Sequence, residues 1–147
     1  MLKVDSIIFD LDRLLSKSLE KQGNNLFNNL EWSLDKLKAK YKLFIVSNYQ
    51  TKYIEAFLKY YRVEKFFQDI ICSETANESK IKNVKLLIRR NFLNSPVYVG
   101  DILGDCEIAE KSKIPFIYVE YGLRNIRKIE YRIKNLESLK ELKEILI

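Results

Sequence analysis

The stretch Asp5-Ser6-Ile7-Ile8-Phe9-Asp10 (DSIIFD) decides the architecture, because three consecutive apolar residues leave neither face of an extended strand polar. A strand covered on both faces belongs in a parallel sheet flanked by helices. Working outward, four more runs share that character: Lys42–Ser47 (KLFIVS), Asp69–Ser73 (DIICS), Pro96–Asp101 (PVYVGD) and Pro115–Glu120 (PFIYVE).

Segments with helical spacing lie between these runs. Leu26, Leu30, Leu34 and Leu37 make one helix face, and Ile54, Phe57, Leu58 and Tyr61 make another after the second run. Val84, Leu87 and Ile88 do the same before the fourth run, and Leu136, Leu139, Leu142 and Leu146 at the C-terminus. Their ordinary role is packing against a sheet. Strands alternating with helices of this length imply right-handed crossovers. The expected fold is α/β, a three-layer Rossmann-like sandwich with a five-stranded, mostly parallel sheet, residues 1–147 forming a single domain. Residues Asp12 to Asn24 (DRLLSKSLEKQGN) lack a clean period and are expected to run irregularly over the sheet's edge.

Composition bounds the function. The 147 residues are 47% hydrophobic and 31% charged, as in globular proteins. No apolar run approaches the roughly 20 residues of a membrane span. The N-terminal MLKVDSIIFD lacks a signal peptide's apolar core, and Cys72 and Cys106 then read as reduced thiols, so the expected compartment is the cytoplasm. Lys and Arg number 26 against 20 Asp and Glu, a formal charge of +6. That excess suits an anionic partner, but the basic residues are scattered along helical stretches such as ESLKELKEIL. A solvated surface explains them better than a nucleic-acid interface. There is no histidine, which excludes Ser-His-Asp and Cys-His catalysis and His-ligated zinc.

In open α/β sheets, ligands sit beyond the carboxyl ends of the strands. Asp10 and Asp12 close the first strand, and Ser47 with Asn48 closes the second. Lys80 opens the helix before the fourth strand, and Asp101 and Asp105 follow that strand in VGDILGD. Singly, an Asp or Ser at such a junction is commonly a helix cap, and a Lys is usually solvated. Jointly the case differs. Three converging carboxylates would repel one another unless a divalent cation sat among them, and oxygen-only donors favour magnesium.

Asp10-Leu-Asp12 after an apolar strand, Ser47-Asn48, Lys80, and then the GDxxxD pattern at Gly100–Asp105 resemble the four motifs of haloacid dehalogenase-like hydrolases. The stretches FIVSNYQTKYIEAFL and YVGDILGDCEIAEKSKIPFIYVEYG are most similar to the phosphoglycolate-phosphatase-like branch. The resemblance implies a magnesium-dependent phosphatase acting on a phosphate monoester. Asp10 would be the nucleophile that forms an aspartyl-phosphate, and Asp12 the general acid and base. Ser47, the Asn48 amide and Lys80 would hold the phosphate. Asp10, the backbone carbonyl of Asp12, and Asp101 would hold magnesium, with Asp105 ligating or orienting a bound water. Response-regulator receivers also cluster Asp, a hydroxyl and Lys at strand ends. In them the Lys comes last, whereas here Lys80 precedes Asp101.

Two departures matter. Where relatives continue the first motif with Gly and then Thr or Val, this chain has Arg13 and Leu14, which opens the alternative of a weak or inactive phosphate-binding module. Relatives also insert a cap domain between the first and second motifs, and only Arg13 to Val46 intervene here, so none is expected. An open site of that kind suits a small phosphorylated metabolite, with a second copy of the chain as a lid. The aromatic cluster Tyr49, Tyr53, Tyr60, Tyr61, Phe66 and Phe67 would mostly pack against its helix, its exposed members supplying an oligomer contact.

Overall fold

A computed structural model describes residues 2–10, 12, 30–72, 78–119, 131–133 and 145–146. In chain order the elements are β1 (Ser6–Asp10), α1 (Leu30–Lys38), β2 (Lys42–Ser47), α2 (Thr51–Tyr60), a 3₁₀ turn (Glu64–Phe66) and β3 (Phe67–Cys72). Then follow α3 (Glu78–Arg90), β4 (Pro96–Gly100), α4 (Leu103–Lys111), β5 (Phe116–Val119) and β6 (Tyr131–Ile133).

The strands form one sheet in the order β3-β2-β1-β4-β5-β6, and every pair is parallel. The α/β class holds, but the sheet has six strands where five were expected. The sixth, Tyr131–Ile133, is three residues long with Arg132 at its centre, too short and too polar to show as a buried run. The third strand begins two residues earlier than expected, at Phe67.

Strand parity sends alternate side chains into two separate cores. Ile7, Phe9, Leu43, Ile45, Val97 and Val99 face Leu34, Leu37, Ile54, Phe57 and Leu58 of α1 and α2. Ile8, Phe44, Val46 and Tyr98 face Val84, Leu87 and Ala109 of α3 and α4. Burying both faces explains why the central strands are apolar throughout. Leu26, Leu136, Leu139 and Leu142 lie outside the described residues, while Leu146 is buried and forms an isolated parallel bridge with Leu2.

Three helices end alike. After α2, α3 and α4 the chain takes positive φ at Arg62 (58°), Phe92 (53°) and Lys113 (58°). The next amide in each case reaches back five residues: Val63 to the Leu58 carbonyl at 2.9 Å, Leu93 to Ile88 at 3.0 Å and Ile114 to Ala109 at 3.1 Å. This closure satisfies a helix-end carbonyl and turns an apolar residue inward.

Of the aromatic cluster, Phe66 is buried while Tyr53 and Tyr60 are exposed. Among the described residues neither Cys72 nor Cys106 forms a disulfide. Among the described residues no helix is long and apolar enough to cross a membrane.

Candidate active site

Strand order reverses between β1 and β4, because the chain adds β2 and β3 on one side of β1 and then returns to its other side. Helices leaving neighbouring strands diverge there and open a crevice at the carboxyl ends. Every buried charged side chain among the described residues lies at this edge: Asp10, Lys80, Asp101 and Asp105. Burying charge is costly unless each group finds a partner, so the pairing shows how the site is built.

Asp10 ends β1 on the α3 and α4 face. Its Oδ2 lies 2.6 Å from Lys80 Nζ and accepts a hydrogen bond from the Tyr98 hydroxyl at 3.0 Å. Its Oδ1 accepts from the Asp12 amide at 3.1 Å. Burial works against the Asp10 charge, but contacts with Asp105, Lys80 and the Asp12 amide outweigh it and hold the carboxyl below the usual aspartate range.

Asp12 is gripped from three sides. Lys80 Nζ is 2.6 Å from its Oδ2, the Asn48 amide is 3.0 and 3.1 Å from its two oxygens, and the Ser47 hydroxyl donates to its Oδ1. Ser47 is fixed in turn, since its Oγ accepts from the Tyr49 amide at 3.0 Å. Burial would depress the Lys80 pKa, yet Asp10 and Asp12 override it and hold the ammonium above the ordinary lysine value. One cation thus bridges both carboxylates of the first motif.

Asp105 stands in the first turn of α4. Its Oδ2 accepts from the amides of Asp101 at 3.0 Å and Ile102 at 3.1 Å, one half of a capping box. Its Oδ1 is buried with no hydrogen-bond partner. Burial first, and then the neighbouring Asp10 carboxylate, push the Asp105 carboxyl up to about 9. Gly100 makes this fold-back feasible, because a Cβ there would overlap the Asp105 side chain.

The structure therefore brings Asp10, Asp12, Ser47, Asn48 and Lys80 into one contact network, with Asp101 and Asp105 beside it. The electrostatics differ from the expectation that a dication alone reconciles Asp10, Asp12 and Asp101. Lys80 bridges the first two and offsets part of their charge, and a further acid contact lies between Asp10 and Asp105. Among the described residues no group of three or more His, Cys, Asp or Glu side chains gathers at metal-ligating distances. The donor chemistry still fits a hard cation, since the adjoining Asp10 and Asp105 carboxyls offer only oxygen and a dication would favour their charged forms. Arg13 and Leu14 lie outside the described residues.

Tyr98 is the site residue that the motifs did not disclose. Its signal was a phenol inside PVYVGD, an otherwise aliphatic strand, where a buried hydroxyl requires a partner.

Comparison with known proteins agrees with this architecture. A haloacid dehalogenase-like family hydrolase from Streptococcus pneumoniae superposes with a TM-score of 0.74 at 14% identity, over 97% of this chain and 98% of that one. The core domain of a candidate phosphoglycolate phosphatase from the same species gives 0.65 at 24% identity, over 98% and 97%. A candidate hydrolase from Bacillus subtilis, solved bound to magnesium, gives 0.68 at 15% identity, over 97% and 99%. No curated protein matches the sequence. The family model for haloacid dehalogenase-like hydrolases matches residues 12–119, more than half of the length, and with the motif residues of that family meeting at one sheet edge, the chain belongs to the haloacid dehalogenase-like hydrolases.

Proposed function

We propose that the protein hydrolyses phosphate monoesters with magnesium, through an aspartyl-phosphate on Asp10. One observation carries this reading: a hydroxyl, a backbone amide and an ammonium, from Ser47, Asn48 and Lys80, converge on a single oxyanion beside Asp10. In the structure that oxyanion is the Asp12 carboxylate. Phosphate oxygens are acceptors of the same kind, and three donors converging from the end of β2 and from α3 make a cradle for them. The magnesium-bound hydrolase and the candidate phosphatase among the similar structures lend support.

In this reading phosphate displaces Asp12 from those donors, and the freed carboxylate takes up a proton from solvent. An Asp10 oxygen attacks phosphorus and the ester P–O bond breaks. The departing alkoxide then takes that proton from the Asp12 carboxyl. Water then attacks the phosphorus of the acyl phosphate and gives a proton to Asp12. The bond to Asp10 breaks, inorganic phosphate leaves and the Asp10 carboxylate is restored. Ser47, the Asn48 amide and Lys80 hold the non-bridging oxygens throughout. Asp10 and Asp101, with the Asp12 carbonyl, would hold magnesium and Asp105 a bound water; the ion supplies charge cancellation between carboxylate and phosphate dianion. Only residues 11–29 separate β1 from α1, too few for a cap domain at that point, which suits a small phosphorylated metabolite as substrate.

The reading is tested by phosphate release from a panel of phosphorylated metabolites and an aryl phosphate, with and without magnesium. Magnesium-dependent turnover that Asp10→Asn abolishes is the expected result. One observation favours the second reading, a phosphate-binding module without turnover: Asp12 already fills the donor set. Tight binding of vanadate without hydrolysis of any ester would establish that alternative.

A further inference from the structure

Tyr98 sits in the middle of β4 with a relative exposure of 0%. Its neighbours in register are Ile8 on β1 and Phe116 on β5, and its ring lies 6.3 Å from that of Phe116. The ring is therefore wedged in the α3 and α4 core among Ile8, Phe44, Val84 and Leu87. Packing asks only for an aromatic ring at this place. Phenylalanine would meet that need without a polar atom, and burying a hydroxyl is unfavourable unless it is hydrogen-bonded. The Tyr98 hydroxyl is bonded, and its acceptor is Asp10 Oδ2 at 3.0 Å.

We infer that Tyr98 is a positioning residue that fixes the plane of the Asp10 carboxylate for attack. The inference rests on the reading of Asp10 as nucleophile. Besides the adjoining Asp105 carboxyl, an amide, an ammonium and a phenol hold this carboxylate, and they differ in stiffness. The Asp12 amide lies two residues beyond the end of β1, outside the sheet. Lys80 is shared with Asp12, so its grip changes whenever Asp12 or a phosphate moves. Tyr98 alone approaches from within the sheet, from the strand next to β1. Its bond with Lys80 on the same oxygen pins Oδ2 and leaves the carboxylate one orientation. Placement of the attacking atom within a fraction of an ångström governs the rate of an in-line displacement, while substrate affinity depends on the Ser47, Asn48 and Lys80 cradle. Loss of the hydroxyl should therefore act on kcat and spare KM.

Tyr98→Phe removes one oxygen and keeps the ring. With an aryl phosphate and magnesium, kcat falls about tenfold or more, KM stays within about twofold, and the melting temperature changes by no more than a few degrees. A change confined to KM, or no change in either constant, overturns the inference. Crystal structures of both proteins give a readout independent of turnover: the Asp10 carboxylate rotates or splits into two orientations in Tyr98→Phe. An unchanged, single orientation overturns the inference even if kcat falls. If the wild type hydrolyses nothing, the proposed function fails, and the crystal structures still decide the role of Tyr98. Should Tyr98→Phe not fold, Asp10→Asn reads the same contact from the other side. The Tyr98 hydroxyl proton, downfield and slow to exchange in the wild type, moves upfield in that variant, and an unmoved resonance overturns the inference.

Discussion

Gly100 shows how much of a motif is steric. In VGDILGD the glycine leaves room for the Asp105 carboxylate to fold back onto the amides of Asp101 and Ile102. Gly100→Ala would drive a methyl into a side chain that is itself 1% exposed and twice hydrogen-bonded. We expect a stability loss of about 1–3 kcal/mol, as for other overpacked sites, measurable by urea unfolding at neutral pH. Wild-type stability in that variant would show that Asp105 can move freely. Asp12 makes a second case. Because its carboxylate occupies the Ser47, Asn48 and Lys80 donors, any phosphate has to displace it. Asp12→Ala should therefore lose turnover yet bind inorganic phosphate about tenfold more tightly, a gain of about 1.4 kcal/mol by calorimetry. Weaker binding would mean that Asp12 helps to assemble the cradle. The motif residues were legible because each follows a strand, and strand ends are where this sheet can place a ligand. What Asp12 grips in the absence of substrate was not legible, since it depends on which donors lack a better acceptor.

At the scale of elements, the central strands were legible because burial on both faces leaves continuous apolar runs. β6 was not, since an edge strand of three residues with Arg132 exposed carries no such pattern. Helix ends were hidden for a different reason. The sequence has only 4 glycines, and α2, α3 and α4 stop at Arg62, Phe92 and Lys113, residues that give no left-handed signal. The link between β3 and the end of α3 is likewise a matter of tertiary contact. Asp69 receives a double hydrogen bond from Arg90, both at 2.6 Å, and a third from Asn91 at 2.8 Å. The Arg90 bonds first, against the cost of burial, hold its carboxyl below the ordinary value of 3.8. A depressed folded-state pKa means that the unfolded chain binds the proton more readily. The contribution is complete above the unfolded value and is lost as pH falls through the folded one. Asp69→Asn should cost about 1 kcal/mol at pH 7, modest because Arg90 is partly exposed, and nothing at strongly acidic pH. Unfolding curves across that range check the convergence, and a constant difference between the two proteins would assign the loss to packing.

For the molecule as a whole, the sheet order places the two acidic loops side by side. β1 and β4 lie far apart in sequence, yet they are neighbours in the sheet, and Asp10 and Asp105 meet only because of that pairing. In the unfolded chain these groups are separate, and no site for a cation exists. An ion held by Asp10 and Asp101, with Asp105 beside it, would therefore bind the folded state alone and stabilise it by linkage. At magnesium ten times its dissociation constant the gain is about 1.4 kcal/mol, and for a chain near 150 residues each kilocalorie moves the melting temperature by about 2–4 °C. A rise of about 3–6 °C on adding magnesium is the expected outcome, with little or none in Asp10→Asn. The variant matters because a general effect of salt on a protein of charge +6 would appear equally in both. Sodium chloride at matched ionic strength provides the second control. Equal rises in wild type and Asp10→Asn would remove the cation from the space beside Asp10, and the Asp10–Asp105 contact would then be held by a shared proton.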